Sequence, residues 1–155
     1  MKSIVNMKVI LVAKGGFQFE DNSGIVKKAM DLASQKAMEA ATLYVEGQAK
    51  ALAPVGDSGE LRDKINHKVS KKNGNIVGTV GSPMTYAMYV EYGTGEFAEN
   101  GAGRKGGWNY QDSSGEWFFT WGQDPQPFLR PAFRKNKQQI QSILGNSFKI
   151  SFKGK

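Results

Sequence analysis

The sequence predicts an α+β fold, a small antiparallel or mixed sheet packed against one long N-terminal helix and a C-terminal helix. Three patterns predict it. Over residues 25–52 apolar side chains recur at helical spacing, at Ile25, Ala29, Ala33, Ala37, Ala40, Ala41, Tyr44 and Leu52. Residues 65–69 and 76–80 alternate apolar with polar positions on either side of Asn73-Gly74, a dipeptide suited to a hairpin turn. Beyond Pro131, which fits the first turn of a helix, Phe133, Lys137, Ile140 and Leu144 continue at spacings of three and four. A chain of 155 residues with 17 aromatics, 3 of them Trp, can bury one core, so residues 1–155 read as a single domain. Residues 95–126 read as a loop and aromatic hairpin inserted in it.

The elements follow in order. Residues 5–12 are rich in Val and Ile and precede the breaker Gly15-Gly16, which predicts a first strand. Asp21, Asn22 and Ser23 offer capping oxygens to the long helix, its apolar stripe is interrupted near Gly47-Gln48, and Pro54 ends it. Asp57-Ser58-Gly59-Glu60 resembles a capping box, with a short helical turn through Leu61 and Arg62 to follow and a positive φ expected at Gly59. After the first hairpin, residues 84–92 predict a short helix stopped by Gly93. Residues 96–107 are glycine-rich and read as a flexible loop. Trp108-Asn109-Tyr110 and residues 117–121 flank Ser113-Ser114-Gly115 as a second hairpin, and Phe128 and Leu129 are expected to anchor the last helix. Finally Phe148, Ile150 and Phe152 alternate with Lys149, Ser151 and Lys153, which predicts a terminal strand with a basic face.

Charge is unevenly placed. The chain carries 21 Lys and Arg against 14 Asp and Glu, and every acidic residue lies at or before Asp124. The whole net charge of +7 therefore sits on Arg130, Arg134, Lys135, Lys137, Lys149, Lys153 and Lys155. These residues form a candidate contact for a polyanion, either nucleic acid or an acidic protein face, and equally describe a solvated basic face.

Most catalytic chemistries lack their residues. With no Cys there is no disulfide, thiolate metal site or cysteine nucleophile, and a lone His67 excludes a two-histidine metal site and argues against a triad. The apolar stretch at residues 4–13 is interrupted by Asn6 and Lys8 and is too short to span a membrane or to serve as a signal peptide. Gly93-x-Gly95-x-x-Ala98 follows a helix rather than a strand, and Lys105 is followed by Gly106 rather than a hydroxyl residue, so neither nucleotide motif holds. Asp57 and Glu60 are better read as caps than as an acid–base pair. Glu91, among tyrosines, reads as a buried acid with a raised pKa or, more commonly, as a partner in a salt bridge or backbone hydrogen bond. No catalytic, cofactor-binding or metal residue is assigned. For Trp117, Phe119 and Trp121 core packing is favoured over base stacking, with a protein interface as a further reading.

The order and spacing of several short motifs carry more. Ala53-Pro54-Val55, Ser58-Gly59-x-Leu61-Arg62-x-x-Ile65, Val80-Gly81, Tyr86-Ala87-x-x-Val90-Glu91-Tyr92-Gly93-Thr94 and Pro127-Phe128-Leu129-x-Pro131-Ala132 occur in sequence. In this the chain resembles the tail-component family of long-tailed bacteriophages, the gene-product-ten-like group that includes head-to-tail joining and tail-completion proteins. The resemblance spans residues 25–145. It implies that Pro54, Gly59, Leu61, Arg62, Tyr86, Glu91, Gly93, Pro127, Phe128 and Pro131 are structural, with Ser58 standing where the family usually has threonine.

It further implies a non-catalytic subunit without cofactor, made in the host bacterial cytoplasm and carried in the virion as a ring of six at the neck. Its partners would be copies of itself, the tail tube or terminator protein, and the head connector or head-closure protein. DNA in the channel is a further contact, and a membrane is not. Residues 95–126 exceed the family minimum, which makes Glu96, Arg104, Lys105, Trp108, Tyr110, Trp117 and Trp121 the candidate assembly interface. A free-standing basic nucleic-acid-binding module is the alternative, and a small hydrolase using Asp57 or Glu91 the remainder.

Overall fold

A computed structural model describes residues 10–12, 16–18, 23–56, 58–99 and 101–152. The order is β1 (Ile10–Val12), β2 (Gly16–Gln18), α1 (Ser23–Leu52), α2 (Glu60–Asp63), β3 (Asn66–Lys72), β4 (Asn75–Gly81), α3 (Ala87–Tyr92), β5 (Trp108–Gln111), β6 (Trp117–Thr120), α4 (Leu129–Arg134) and α5 (Lys137–Phe152). This is the α+β arrangement expected. Among the described residues the strands form three antiparallel pairs, β1 with β2, β3 with β4 and β5 with β6. Of the first expected strand, residues 5–9 lie outside the described residues.

Helix α1 is the spine. Its buried positions, Ala33, Ala37, Ala41, Thr42, Val45 and Ala49, repeat at three and four and are almost all small, so neighbouring elements approach its axis closely. The β3–β4 hairpin and helices α4 and α5 pack on this stripe. The helix runs unbroken through Gly47-Gln48, where its apolar stripe is interrupted. Gly47 lies on the exposed face while Val45 and Ala49 are held in the core, and that packing offsets the cost of about 1 kcal/mol for a glycine within a helix. Ala53 closes the helix by donating to the Ala49 carbonyl (2.9 Å) ahead of Pro54.

The β3–β4 hairpin turns at Asn73 and Gly74, both with positive φ, as its register requires. Gly78 of β4 lies directly on α1: a Cβ there would come within 2.3 Å of Thr42 Cγ2 and 2.8 Å of Met38 Sδ. Polar pairs tie the same surfaces. Both ring nitrogens of His67 face carboxylates of α1, Nδ1 meeting Glu46 and Nε2 meeting Glu39 at 3.0 Å. Hydrogen bonding to Glu46, then to Glu39, holds the imidazole above its ordinary pKa, and the His67 and Lys50 contacts hold Glu46 below its own.

The region after α1 corrects the capping-box reading. Asp57 lies outside the described residues, and the residue that precedes α2 is Gly59, in the left-handed region at φ 62° with no side-chain cap. Ser58 Oγ accepts from the Glu60 amide at a long 3.4 Å. The positive φ expected at Gly59 is therefore present.

The C-terminal segment is a second correction. Residues 148–152 continue α5 and do not form a strand. Ile140, Ile143, Leu144, Ser147 and Phe148 are half-buried at helical spacing against α1, and this stripe outweighs the two-residue alternation beyond it. The core gathers Val45, Ala49, Ala53, Leu61, Ile65, Ala87, Phe128 and Ala132, with Phe128 wholly buried at 0% exposure.

Candidate functional site

The motif residues converge although they are far apart in sequence. Pro54, Ser58, Gly59 and Leu61 meet Tyr86, Val90 and Gln126 around a depression of about 220 Å³. Leu61 and Phe128 point into the core, and Gly93 ends α3. Arg62 stays exposed, its Nε donating to Asp63 Oδ1 at 3.2 Å.

Beneath them Glu91, 3% exposed, joins two parts of the chain. Its carboxylate accepts from the amides of Phe128 (2.7 Å), Leu129 (2.9 Å) and Arg130 (3.0 Å) and from Arg130 Nε (2.8 Å). Burial is the largest influence and opposes ionisation, but the three amides and the guanidinium together outweigh it and hold the carboxyl below its ordinary range. Of the two sequence readings, the structural one holds and the raised pKa does not. Arg130 also donates to Glu99 and to the Glu91 carbonyl (2.7 Å), and its guanidinium lies over the Tyr92 ring at 4.4 Å. Its donors are therefore taken up internally. Arg134, Lys135, Lys137 and Lys149, the other described members of the basic group, are exposed, and Lys153 and Lys155 lie outside the described residues.

Residues 94–126 form a lobe that the flexible-loop reading understates. A 3₁₀ turn at Gly95–Phe97 is fastened to the strand end opposite: Thr94 N donates to Gln123 O, Glu96 N to Trp121 O, and Gln123 N to Thr94 Oγ1, each at 2.9 Å. Glu96 closes the loop on itself, accepting from the Gly106 amide (2.8 Å) and from Lys105 (3.4 Å), and the amide bond above all keeps its carboxyl below the usual range. Arg104 lies over the half-buried Trp108 at 5.4 Å from the ring.

The β5–β6 hairpin is the open part. Its register puts Trp108 and Tyr110 on one face with Phe118 and Thr120, and Trp117 and Phe119 on the other, where Trp121 continues the series. Tyr110 stacks on Phe118 at 5.8 Å, and Phe119 meets Trp121 edge-on at 5.3 Å. Core packing, the favoured sequence reading for this cluster, is overturned: Trp117 is 70% exposed, Phe119 58% and Trp121 53%. The signal lay in Trp117-Phe118-Phe119, three successive aromatics that a period of two sends to both faces of a two-stranded ribbon. Such a ribbon cannot cover both faces by itself.

Sequence reasoning missed Phe118 and a second feature. Between α1, β4, α4 and α5 runs an apolar groove of about 370 Å³, lined by Met38, Val80, Leu129, Phe133, Ile140 and Leu144. Its lining residues come from four separate elements, so no local spacing announces it. No group of His, Cys, Asp or Glu able to hold a metal ion occurs among the described residues, and no helix among them is long and apolar enough to cross a membrane.

The described residues thus form a small α+β body with fastened backbone loops and an uncovered aromatic surface. Residues 17–93 match the family model described as bacteriophage HK97-gp10, putative tail-component, and the chain belongs to that family of phage tail components, which implies a virion location. The matched residues end at Gly93, ahead of the aromatic lobe. No curated protein and no solved structure matches the chain.

Proposed function

We propose that the protein is a non-catalytic ring subunit of the phage neck, completing or joining the tail at the head–tail interface. The family match over residues 17–93 is the observation that carries this reading. Two features of the fold support it. Glu91, the buried carboxylate, spends its acceptors on Arg130 and backbone amides, and Arg130 spends its donors on Glu91 and Glu99. The exposed rings of the β5–β6 hairpin form the kind of apolar patch that marks a protein contact.

In this reading the partners are further copies in a hexameric ring, the tail tube or terminator protein on one side, and the head connector or head-closure protein on the other. The basic residues of α4 and α5 face either DNA in the channel or an acidic ring. Deleting the gene from its phage tests the proposal: filled heads and finished tails that fail to join are expected, whereas a normal yield of infectious particles would contradict it.

The nucleic-acid-binding alternative draws on the same basic residues. It is disfavoured by the hairpin, whose residues 108–121 include Asp112 and Glu116 and no Lys or Arg, so the rings available for stacking share a hairpin with carboxylates that repel phosphate.

A further inference from the structure

We infer that two surfaces of this chain are made for each other in neighbouring copies: the open face of the β5–β6 hairpin of one subunit seats in the groove between α1, β4, α4 and α5 of the next. The inference rests on the ring reading above and names the contact that builds the ring.

The first argument is shape. Trp117, Phe119 and Trp121 form a row on one face of the hairpin, and β5 and β6 pack chiefly on each other rather than on a helix of their own chain. The groove offers about 370 Å³ of apolar space, enough for an aromatic side chain, with half-exposed Phe133 at its edge. Aromatic side chains bury about 150–250 Å² each when fully covered. Three that are 53–70% exposed bring roughly several hundred Å², a large share of the roughly 800 Å² per partner in a stable contact.

Charge supplies the second argument and fixes the polarity. The hairpin turn carries Asp112 and Glu116 without a basic residue, and Asp112 is held ionised by bonds from the Ser114 hydroxyl and from the Ser114 and Glu116 amides. The α4–α5 corner beside the groove carries Arg134, Lys135 and Lys137, all exposed, in a segment with no acid. Seating the rings in the groove with the turn at that corner pairs opposite charges. A contact between two different patches is heterologous, the geometry that closes into rings.

The absence of Cys makes the test direct. Glu116→Cys in the hairpin turn and Lys137→Cys at the groove rim are prepared as two differently tagged full-length proteins, mixed and oxidised. A mixed disulfide dimer is expected, with a ladder of multimers from the double variant. Trp117→Ser and Phe133→Glu, both at exposed positions and checked for folding by circular dichroism, should each weaken self-association roughly thirtyfold by sedimentation, as loss of one hot-spot side chain does.

Self-association unchanged in both variants would overturn the contact while leaving a ring intact. A protein that stays monomeric at about millimolar concentration, a regime where even weak specific contacts form, would overturn it as well. So would tryptophan emission that shifts on adding single- or double-stranded DNA but not with protein concentration. Failure of the neck reading is separately visible: purified particles would lack the chain although the cross-link forms.

Discussion

Replacing Glu91 by Ala strips three main-chain amides and one guanidinium nitrogen of their acceptor and leaves Arg130 with Glu99 as its only carboxylate partner. A loss of about 3–5 kcal/mol in urea unfolding is expected, the range for breaking a buried charged pair on one side. The same group makes stability acid-sensitive. Because its folded pKa lies below the ordinary 4.5, its contribution is present above that value and lost as pH falls through the folded one. A midpoint that falls with acidification in the wild type and less steeply in Glu91→Gln is the expected result. Phe128→Ala should cost about 3–5 kcal/mol, the range for emptying a fully buried aromatic site, and an unchanged midpoint would contradict its place in the core. Gly59→Val should cost roughly 1–2 kcal/mol through backbone strain, since φ is 62° and a new Cβ would meet only ordinary contacts, Arg62 Nη2 at 3.4 Å and Val55 Cγ1 at 3.8 Å. Gly59 and Phe128 were legible from local rules. The Glu91 clamp was not, because its partners lie 37 to 39 positions along the chain and no spacing rule reaches that far.

Two contacts decide how the β3–β4 hairpin sits on α1. Gly78→Ala places a methyl against Thr42 and Met38 and should destabilise by about 1–3 kcal/mol, the usual cost of overpacking, by thermal or urea unfolding. The His67 contact gives the hairpin a pH dependence of opposite sign to that of Glu91. Its folded pKa lies above the ordinary 6.5, so its stabilisation is full below that value and fades as pH rises through the folded one. Amide exchange in β3 should accelerate across that alkaline range, and His67→Gln should remove the dependence; an exchange profile identical in both proteins would contradict the pairing. The helix α1, both expected hairpins and the Gly93 stop were legible because each rests on periodicity or turn chemistry within a few residues. Helix α5 was cut short in the sequence reading because Phe148, Ile150 and Phe152 satisfy both periods over so short a run. Only the α1 surface beside it decides between them.

At the scale of the whole molecule the body and the lobe differ in what they ask of partners. The family-matched part, residues 17–93, contributes α1 and the β3–β4 hairpin, whereas the aromatic hairpin and the basic helix α5 lie beyond it. The basic excess was plain in the sequence, and its placement on exposed positions of α4 and α5 follows from the helical stripe turning inward. The exposure of Trp117 and Trp121 was misjudged because aromatic content alone does not distinguish a core from an interface; what distinguishes them is whether another element of the same chain covers the rings. Since the hairpin turn is acidic and the α4–α5 corner basic, self-association should weaken as salt rises, and sedimentation across salt concentrations checks it. The central claim, a ring subunit seated at the head–tail junction, is tested most directly by a cryo-EM map of the neck in intact particles. Density for this fold is expected to repeat around the channel axis between the connector and the first tail ring, with each aromatic lobe against its neighbour. A complete neck built of other chains, with this one absent from the particle, would contradict it.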